Sequence, residues 1–272
     1  MPEEPGPLFA ELVAIMARLR GPGGCPWDRE QSPSSIAPYL LEETYEVLEA
    51  IAEGEVARLR EELGDLLLQV VFHAQMAAEA GQFTIADVLR GITEKLVRRH
   101  PHVFGAVEAK TANEVLARWE AIKQHEREVN GEEASALAGV PRTLPALLRA
   151  HRLQEKASRT GFDWPALAPV LAKVEEEWAE LRGALAAGHP ARAESEFGDL
   201  LFGLVNLSRF VGVNPEMALT GATERFIRRF HYIEAALAER GKRPRDSTIE
   251  EMDLLWEEAK RLEKGGEEGR AP

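Results

Sequence analysis

The sequence predicts an all-α protein built as two tandem helical domains, and three observations lead there. No stretch of the 272 residues shows the period-two alternation of a strand, whereas apolar residues recur at helical spacing almost throughout. A pattern of four carboxylates, Glu43, Glu46, Glu62 and Asp65, returns as Glu177, Glu180, Glu196 and Asp199, each 134 positions later. Between the copies lies a Gly, Ser, Pro and acidic stretch, Asn130 to Thr143, of linker character. An internal repeat of this size divides the chain into domains at 1–132 and 133–272.

Leu8, Leu12, Ile15, Met16 and Leu19 mark a first helix, which Gly21 to Gly24 stop. The following GGCPWDREQSPSS is too rich in Pro, Gly and Ser to be regular and reads as a loop. Ile36 to Ala52 and Val56 to Ala80 form two helices joined by a short polar break at Gly54, so they should fold back as an antiparallel hairpin. Thr84 with Asp87 resembles a capping box for a helix through Arg99, and Thr111 with Glu114 another before ANEVLARWEAIKQHERE.

After the linker, Pro145 to Arg159 is helical and closes at GFDWP; Ala166 to Ala187 and Ala191 to Val211 repeat the hairpin. Asn214 with Pro215 reads as N-cap and first residue of a long helix through Arg240. Ser247 and Glu250 are placed to cap the last helix, DLLWEEAKRLE, ahead of a tail, GGEEGRAP, expected to be disordered.

Residues three apart share a helix face, so Glu43/Glu46 and Glu62/Asp65 can each aim two carboxylates at one point, and the hairpin brings the pairs together. The second helix is apolar almost all round, with Leu59, Leu63, Leu66, Leu67, Leu68, Val70 and Val71, as expected of a central buried element. Charge there is costly unless paired or bound to a cation, and no Lys or Arg follows Asp65 by one turn. A divalent metal is the economical solution.

Gly64 and Gly198 keep the same offset; each costs roughly 1 kcal/mol of helix propensity relative to Ala, which points to close packing or ligand approach. A solvated acidic face would explain one carboxylate set, but two in register inside apolar helices make that a poor account. A di-iron bundle also aims acidic residues inward from four helices, yet it needs Glu-x-x-His on two of them, and here the motifs are Glu-x-x-Glu and Glu-x-x-Asp.

Cationic residues are local. Lys95, Arg98 and Arg99 end one helix, and Arg225, Arg228 and Arg229 reproduce their spacing 130 positions later. They can complement the helix dipole or clamp phosphate oxygens opposite the metals. Trp119 with Lys123, four apart on one face, return as Trp256 with Lys260. A polyphosphate carrying a flat base suits this set. Mg²⁺, with Mn²⁺ as the alternative, takes oxygen ligands from carboxylates and substrate phosphates, and Trp could stack on a base. His73, His100, His102 and His125 form no pair at ligand spacing, and Cys25, beside Pro and Trp, reads as packing rather than a nucleophile.

Composition narrows the partners. A net charge of −13 argues against a duplex nucleic-acid binder, which needs a basic face to release counterions. One cysteine precludes an intramolecular disulfide and fits a reducing compartment. The acidic MPEEPGPLFAELVAIM lacks the pattern of a signal peptide, and no apolar run spans a bilayer, so a cytoplasmic protein without a membrane partner is expected.

The chain resembles the MazG family of the all-α NTP pyrophosphatase superfamily over nearly its full length. The resemblance runs from GCPWDREQSPSSIAPYLLEETYEVLEAI through EELGDLLLQVVFHAQM and RRHPHVF to EFGDLLFGLVNLSRF and LWEEAKRLE. It implies Mg²⁺-dependent hydrolysis of NTP or dNTP between the α and β phosphates, giving NMP and pyrophosphate. It also implies a homodimer in which helices shared across subunits complete four-helix bundles.

Carried over, the family's metal ligands and catalytic carboxylates fall on Glu177, Glu180, Glu196 and Asp199. Its nucleotide contacts fall on Lys173, Glu176, the stretch of Arg225, Arg228 and Arg229, and Trp256 and Lys260. The resemblance favours the second domain as the main catalytic one, and Asn206 keeps a polar group there where the first domain has Phe72. The family's Asn-x-Lys-Phe is Thr223-Glu224-Arg225-Phe226 here, which replaces a point charge by a planar fork. The first domain, with Glu43, Glu46, Glu62 and Asp65 beside Lys95, Arg98, Arg99, Trp119 and Lys123, is a second candidate site. A nucleotide sensor or a helical dimerisation scaffold, without hydrolysis, is the alternative.

Overall fold

A computed structural model describes residues 4–105, 111, 114, 115, 118, 119, 122, 123, 126 and 135–268, with side chains to residue 263. His125, residues 130–134 of the linker and the last four residues lie outside that set. The described residues contain helices and turns but no strand. The chain divides into two compact units, residues 1–132 and 133–272.

In the first unit, α1 (Pro5–Arg20), α2 (Pro26–Glu30), α3 (Pro33–Glu53), α4 (Val56–Glu79), α5 (Ile85–Arg99) and α6 (Pro101–Phe104) follow one another. Ser32 caps α3 in a reciprocal box with Ser35, and Gly54 ends it in the left-handed region at φ 72°, which lets the chain reverse into α4. Helix α1 packs on α4 through a core of Met16, Ile36, Val71, Phe72 and Met76, with Phe9, Leu12 and Val13 at its edge. Thr84 and Asp87 form the box expected for α5.

In the second unit, α7 (Ala146–Ser158), α8 (Leu167–Ala186), α9 (Pro190–Phe210), α10 (Pro215–Glu239) and α11 (Ile249–Glu268) repeat the plan. Gly188, also left-handed at φ 64°, stands between α8 and α9 as Gly54 does between α3 and α4. The Asn214 side chain accepts N–H bonds from Glu216 and Met217, starting α10 as expected. Helices α10 and α11 pack together around Ile233, Leu237 and Leu255.

Four sequence expectations are corrected. The Pro- and Gly-rich loop contains the short helix α2. Arg20 donates to the carbonyls of Asp28 and Gln31 and grips Glu79, and those long-range bonds fold the segment. The last helix is capped one residue later than expected, with the Thr248 hydroxyl accepting the Glu251 N–H at 3.2 Å. That helix also continues to Glu268, into the stretch expected to be disordered.

Helix α4, finally, is not wrapped on all sides. It buries Gln69, Val71, Phe72, Ala74, Met76 and Ala77, while Leu63, Leu67 and Val70 stay exposed. On α9 the same stripe, Phe197, Leu201 and Leu204, is exposed at the repeat-related positions. Leu63, Leu67 and Val70 follow helical spacing along one face, and no described segment of the unit covers them.

A candidate metal and nucleotide site in each unit

The hairpin geometry gathers the carboxylates. In the first unit Glu43 of α3 meets Glu62 and Asp65 of α4, and in the second Glu177 of α8 meets Glu196 and Asp199 of α9. In each group, one oxygen per residue lies within 4.8 Å of the others. Glu46 and Glu180 are not in these groups: Glu46 hydrogen-bonds Glu43, and Glu180 is exposed on α8. Each site is therefore three converging carboxylates, joined in the first unit by Glu46 through Glu43.

Burial and crowding set their electrostatics. Glu177 is buried, at 7% exposure. Glu43 is pushed up from the usual carboxylate range by burial, by its hydrogen bond with Glu46, and by the charges of Asp65, Glu46 and Glu62. A group of carboxylate oxygens this close together fits a hard divalent cation that prefers oxygen donors.

Cations that spacing alone had not suggested also face these groups, from one turn before rather than after. Arg58 donates Nε to Glu62 at 3.2 Å, Nη1 to Glu53 at 2.7 Å, and Nη2 to Glu49. Arg192 donates Nε to Glu196 at 3.1 Å. Lys173 bridges Glu176 and Glu177, at 2.8 Å to each, and is held charged chiefly by the Glu176 bond and then by Glu177. The i to i+4 spacing of Arg58 and Glu62 was the signal that could have found this.

Gly64 and Gly198 stand beside the carboxylates in open space: a Cβ at either would meet nothing within 4 Å. Packing inside the unit therefore does not call for a glycine at either position.

The basic clusters form separate constellations. Arg99 lies over the Trp119 ring, its guanidinium carbon 5.3 Å from the centroid, and Arg229 lies over Trp256 at 5.2 Å. Phe226 also meets the Trp256 ring, with centroids 5.5 Å apart, so this indole supports an arginine and a phenyl ring. Lys123 stands 4.3 Å from the Trp119 centroid, whereas Lys260 pairs with Glu257 at 2.7 Å. Lys95, Arg98, Arg225 and Arg228 are exposed. Asn206 accepts a 2.6 Å bond from Arg209, which also holds Asp163 of the preceding loop. Among the described residues, no hydrogen bond or ion pair joins Arg225, Arg228, Arg229 or Trp256 to the carboxylate groups.

A helical hairpin presenting converging carboxylates, followed by a cationic helix, defines a class of proteins suited to metal-assisted chemistry on phosphate esters. Comparison with known proteins makes the class specific. Residues 31–104 match the MazG nucleotide pyrophosphohydrolase domain. The chain is 50% identical over 255 residues to the nucleoside triphosphate pyrophosphohydrolase of Escherichia coli K12, covering 93% of this chain and 97% of the relative. It is 48% identical over 266 residues to the nucleoside triphosphate pyrophosphohydrolase/pyrophosphatase MazG of Thermotoga maritima, covering 98% and 99%. It is also 49% identical to the uncharacterized protein YabN of Bacillus subtilis, spanning 52% of that longer protein. The chain belongs to the MazG family of nucleoside triphosphate pyrophosphohydrolases.

Proposed function

We propose that the second unit carries the hydrolysis of nucleoside and deoxynucleoside triphosphates to monophosphate and pyrophosphate, at Glu177, Glu196 and Asp199 with Glu180 beside them. The carrying observation is the convergence of three carboxylate oxygens from two helices within 4.8 Å, with Glu177 buried. These residues would hold Mg²⁺, with Mn²⁺ as the alternative. A cation bound there supplies Lewis acidity and neutralises phosphate charge.

The chain's own groups divide the remaining work. The α8/α9 hairpin fixes the ligand spacing, and the bare backbone at Gly198 lets a substrate approach. Lys173, held between Glu176 and Glu177, sets a positive charge beside the carboxylates. Arg225, Arg228 and Arg229 would bind the phosphate oxygens a cation leaves free, with Trp256, Lys260 and Asn206 at the border of the nucleotide site. The first unit offers a second metal site at Glu43, Glu62 and Asp65 with Glu46, served by Lys95, Arg98, Arg99, Trp119 and Lys123.

A homodimer belongs to the same reading. The exposed stripes Leu63, Leu67, Val70 and Phe197, Leu201, Leu204 suit burial against a second copy, which would complete four-helix bundles. The net charge of −13 supports a small-molecule substrate over duplex nucleic acid. No described helix is long and apolar enough to cross a membrane. The single cysteine supports a cytoplasmic setting.

The test is pyrophosphate release from a panel of NTPs and dNTPs, with Mg²⁺, with Mn²⁺ and with chelator. Release that requires the cation is expected; equal release in chelator would remove the metal from the reading.

A further inference from the structure

In each unit one carboxylate is held by the same atoms of an adjacent arginine pair. Arg99 donates Nε at 3.2 Å and Nη2 at 2.5 Å to Glu126 Oε2, and Arg98 donates Nε to Oε1 at 2.6 Å. Arg229 donates Nε at 2.8 Å and Nη2 at 2.6 Å to Glu263 Oε2, while Arg228 Nε faces Oε1 at 4.0 Å. Each glutamate follows its tryptophan by seven residues, two helical turns along one face, so arginine, indole and carboxylate form one cluster in both units. The side chains of Arg229 and Glu263 are 19% and 28% exposed, and those of Arg99 and Glu126 are 13% and 19%. The surrounding sequences have diverged, with WEAIKQHE in one unit and WEEAKRLE in the other, yet the atom pairing is the same. An incidental surface ion pair has no reason to be reproduced at that level.

The geometry has a chemical consequence. Glu263 occupies the Nε and Nη2 edge of Arg229, and Trp256 lies against the guanidinium, so neither bond uses Nη1. In a chain of net charge −13, an arginine on a loose stem would find other carboxylates. One anchored on an edge and a face keeps its direction and loses less entropy when a further anion binds.

We propose that Glu263, and Glu126 in the first unit, is a positioning residue that fixes Arg229 (or Arg99) against its tryptophan and aims the Nη1 edge at a phosphate oxygen of the nucleotide. This inference rests on the reading that Arg229 contacts substrate, and it adds the residue that sets that contact.

The experiment is steady-state pyrophosphate release from ATP by the full chain and its Arg229→Ala, Glu263→Gln, Glu263→Asp and Glu263→Gln/Arg229→Ala variants, with thermal melts to show that each is folded. Glu263→Gln keeps the shape of the side chain and is the variant least prone to misfold. It is expected to raise KM about tenfold with kcat nearly unchanged, to recover partly as Glu263→Asp, and to add nothing once Arg229 is absent. An unchanged or lower KM in Glu263→Gln, or the same increase in the Arg229→Ala background, would overturn the positioning role while leaving Arg229 in place. An unchanged KM in Arg229→Ala would instead remove Arg229 from the substrate site, and the inference with it.

Discussion

The two carboxylate sites share their ligands and differ in their counter-ions. In the first unit Arg58 is gripped by Glu49, Glu53 and Glu62, so a ligand candidate is tied into a network spanning the hairpin turn. In the second unit Gly183 and Ala187 occupy the positions of Glu49 and Glu53, and Arg192, 62% exposed, holds Glu196 alone. Lys173, standing where the first unit has Tyr39, pairs with Glu177 in its place. Duplication has preserved the groups that can hold a metal and rewired those that compete with it. The first site has a single cation shared among three glutamates, only one of them a ligand candidate, whereas in the second Lys173 and Arg192 each pair with a ligand candidate.

The largest effect expected from this contrast is on turnover. Glu177→Gln or Asp199→Asn should lower kcat/KM at least about a hundredfold, while Glu43→Gln should change it little. Pyrophosphate assays on the three proteins, with circular dichroism to confirm folding, check this.

Next comes stability in the first unit. Arg20 is 7% exposed and binds Glu79 while holding the α2 segment through two carbonyls. Arg20→Ala should cost about 2 kcal/mol, read as a lower midpoint in urea unfolding, because several charged hydrogen bonds are lost together.

Smaller is the effect of releasing the first site. Arg58→Ala should tighten Mn²⁺ binding there about threefold, measured by titration in an Asp199→Asn background, since a cation competing for Glu62 is removed. Weaker binding would mean that Arg58 orders the site rather than occupies it.

The smallest effect is in acid. Glu126 is lowered to about 2, first by its hydrogen bond with Arg99. A depressed carboxylate contributes stability that is present above the usual carboxylate range and is lost as pH falls toward about 2. Glu126→Gln should therefore be less stable than wild type at neutral pH, with the difference closing through that window in an acid melt.

Much of this was legible in the sequence because helical spacing is a local property. The pairs three apart, the return at 134 and the box at Thr84 required only that a helix exist. Glu62 and Asp65 were readable as converging with Glu43 because the break at Gly54 leaves the chain little choice but to reverse. Where long-range contacts decide, the sequence was silent: α2 is held by an arginine and a carboxylate 59 positions apart. Arg58, Glu126 and Glu263 are a different case. Their signals, a spacing of four from Glu62 and a spacing of seven from tryptophan, are present in the sequence, but spacing alone does not say which charged neighbour a side chain will pair with. The exposure of the stripe on α4 was not legible because apolarity marks a surface suited to burial without saying what would cover it.

The most direct test of the division of labour is pyrophosphate release by Glu62→Ala beside Glu196→Ala, each with and without Mg²⁺. Glu196→Ala is expected to abolish Mg²⁺-dependent release while Glu62→Ala retains it; loss confined to Glu62→Ala would place the chemistry in the first unit and contradict this division.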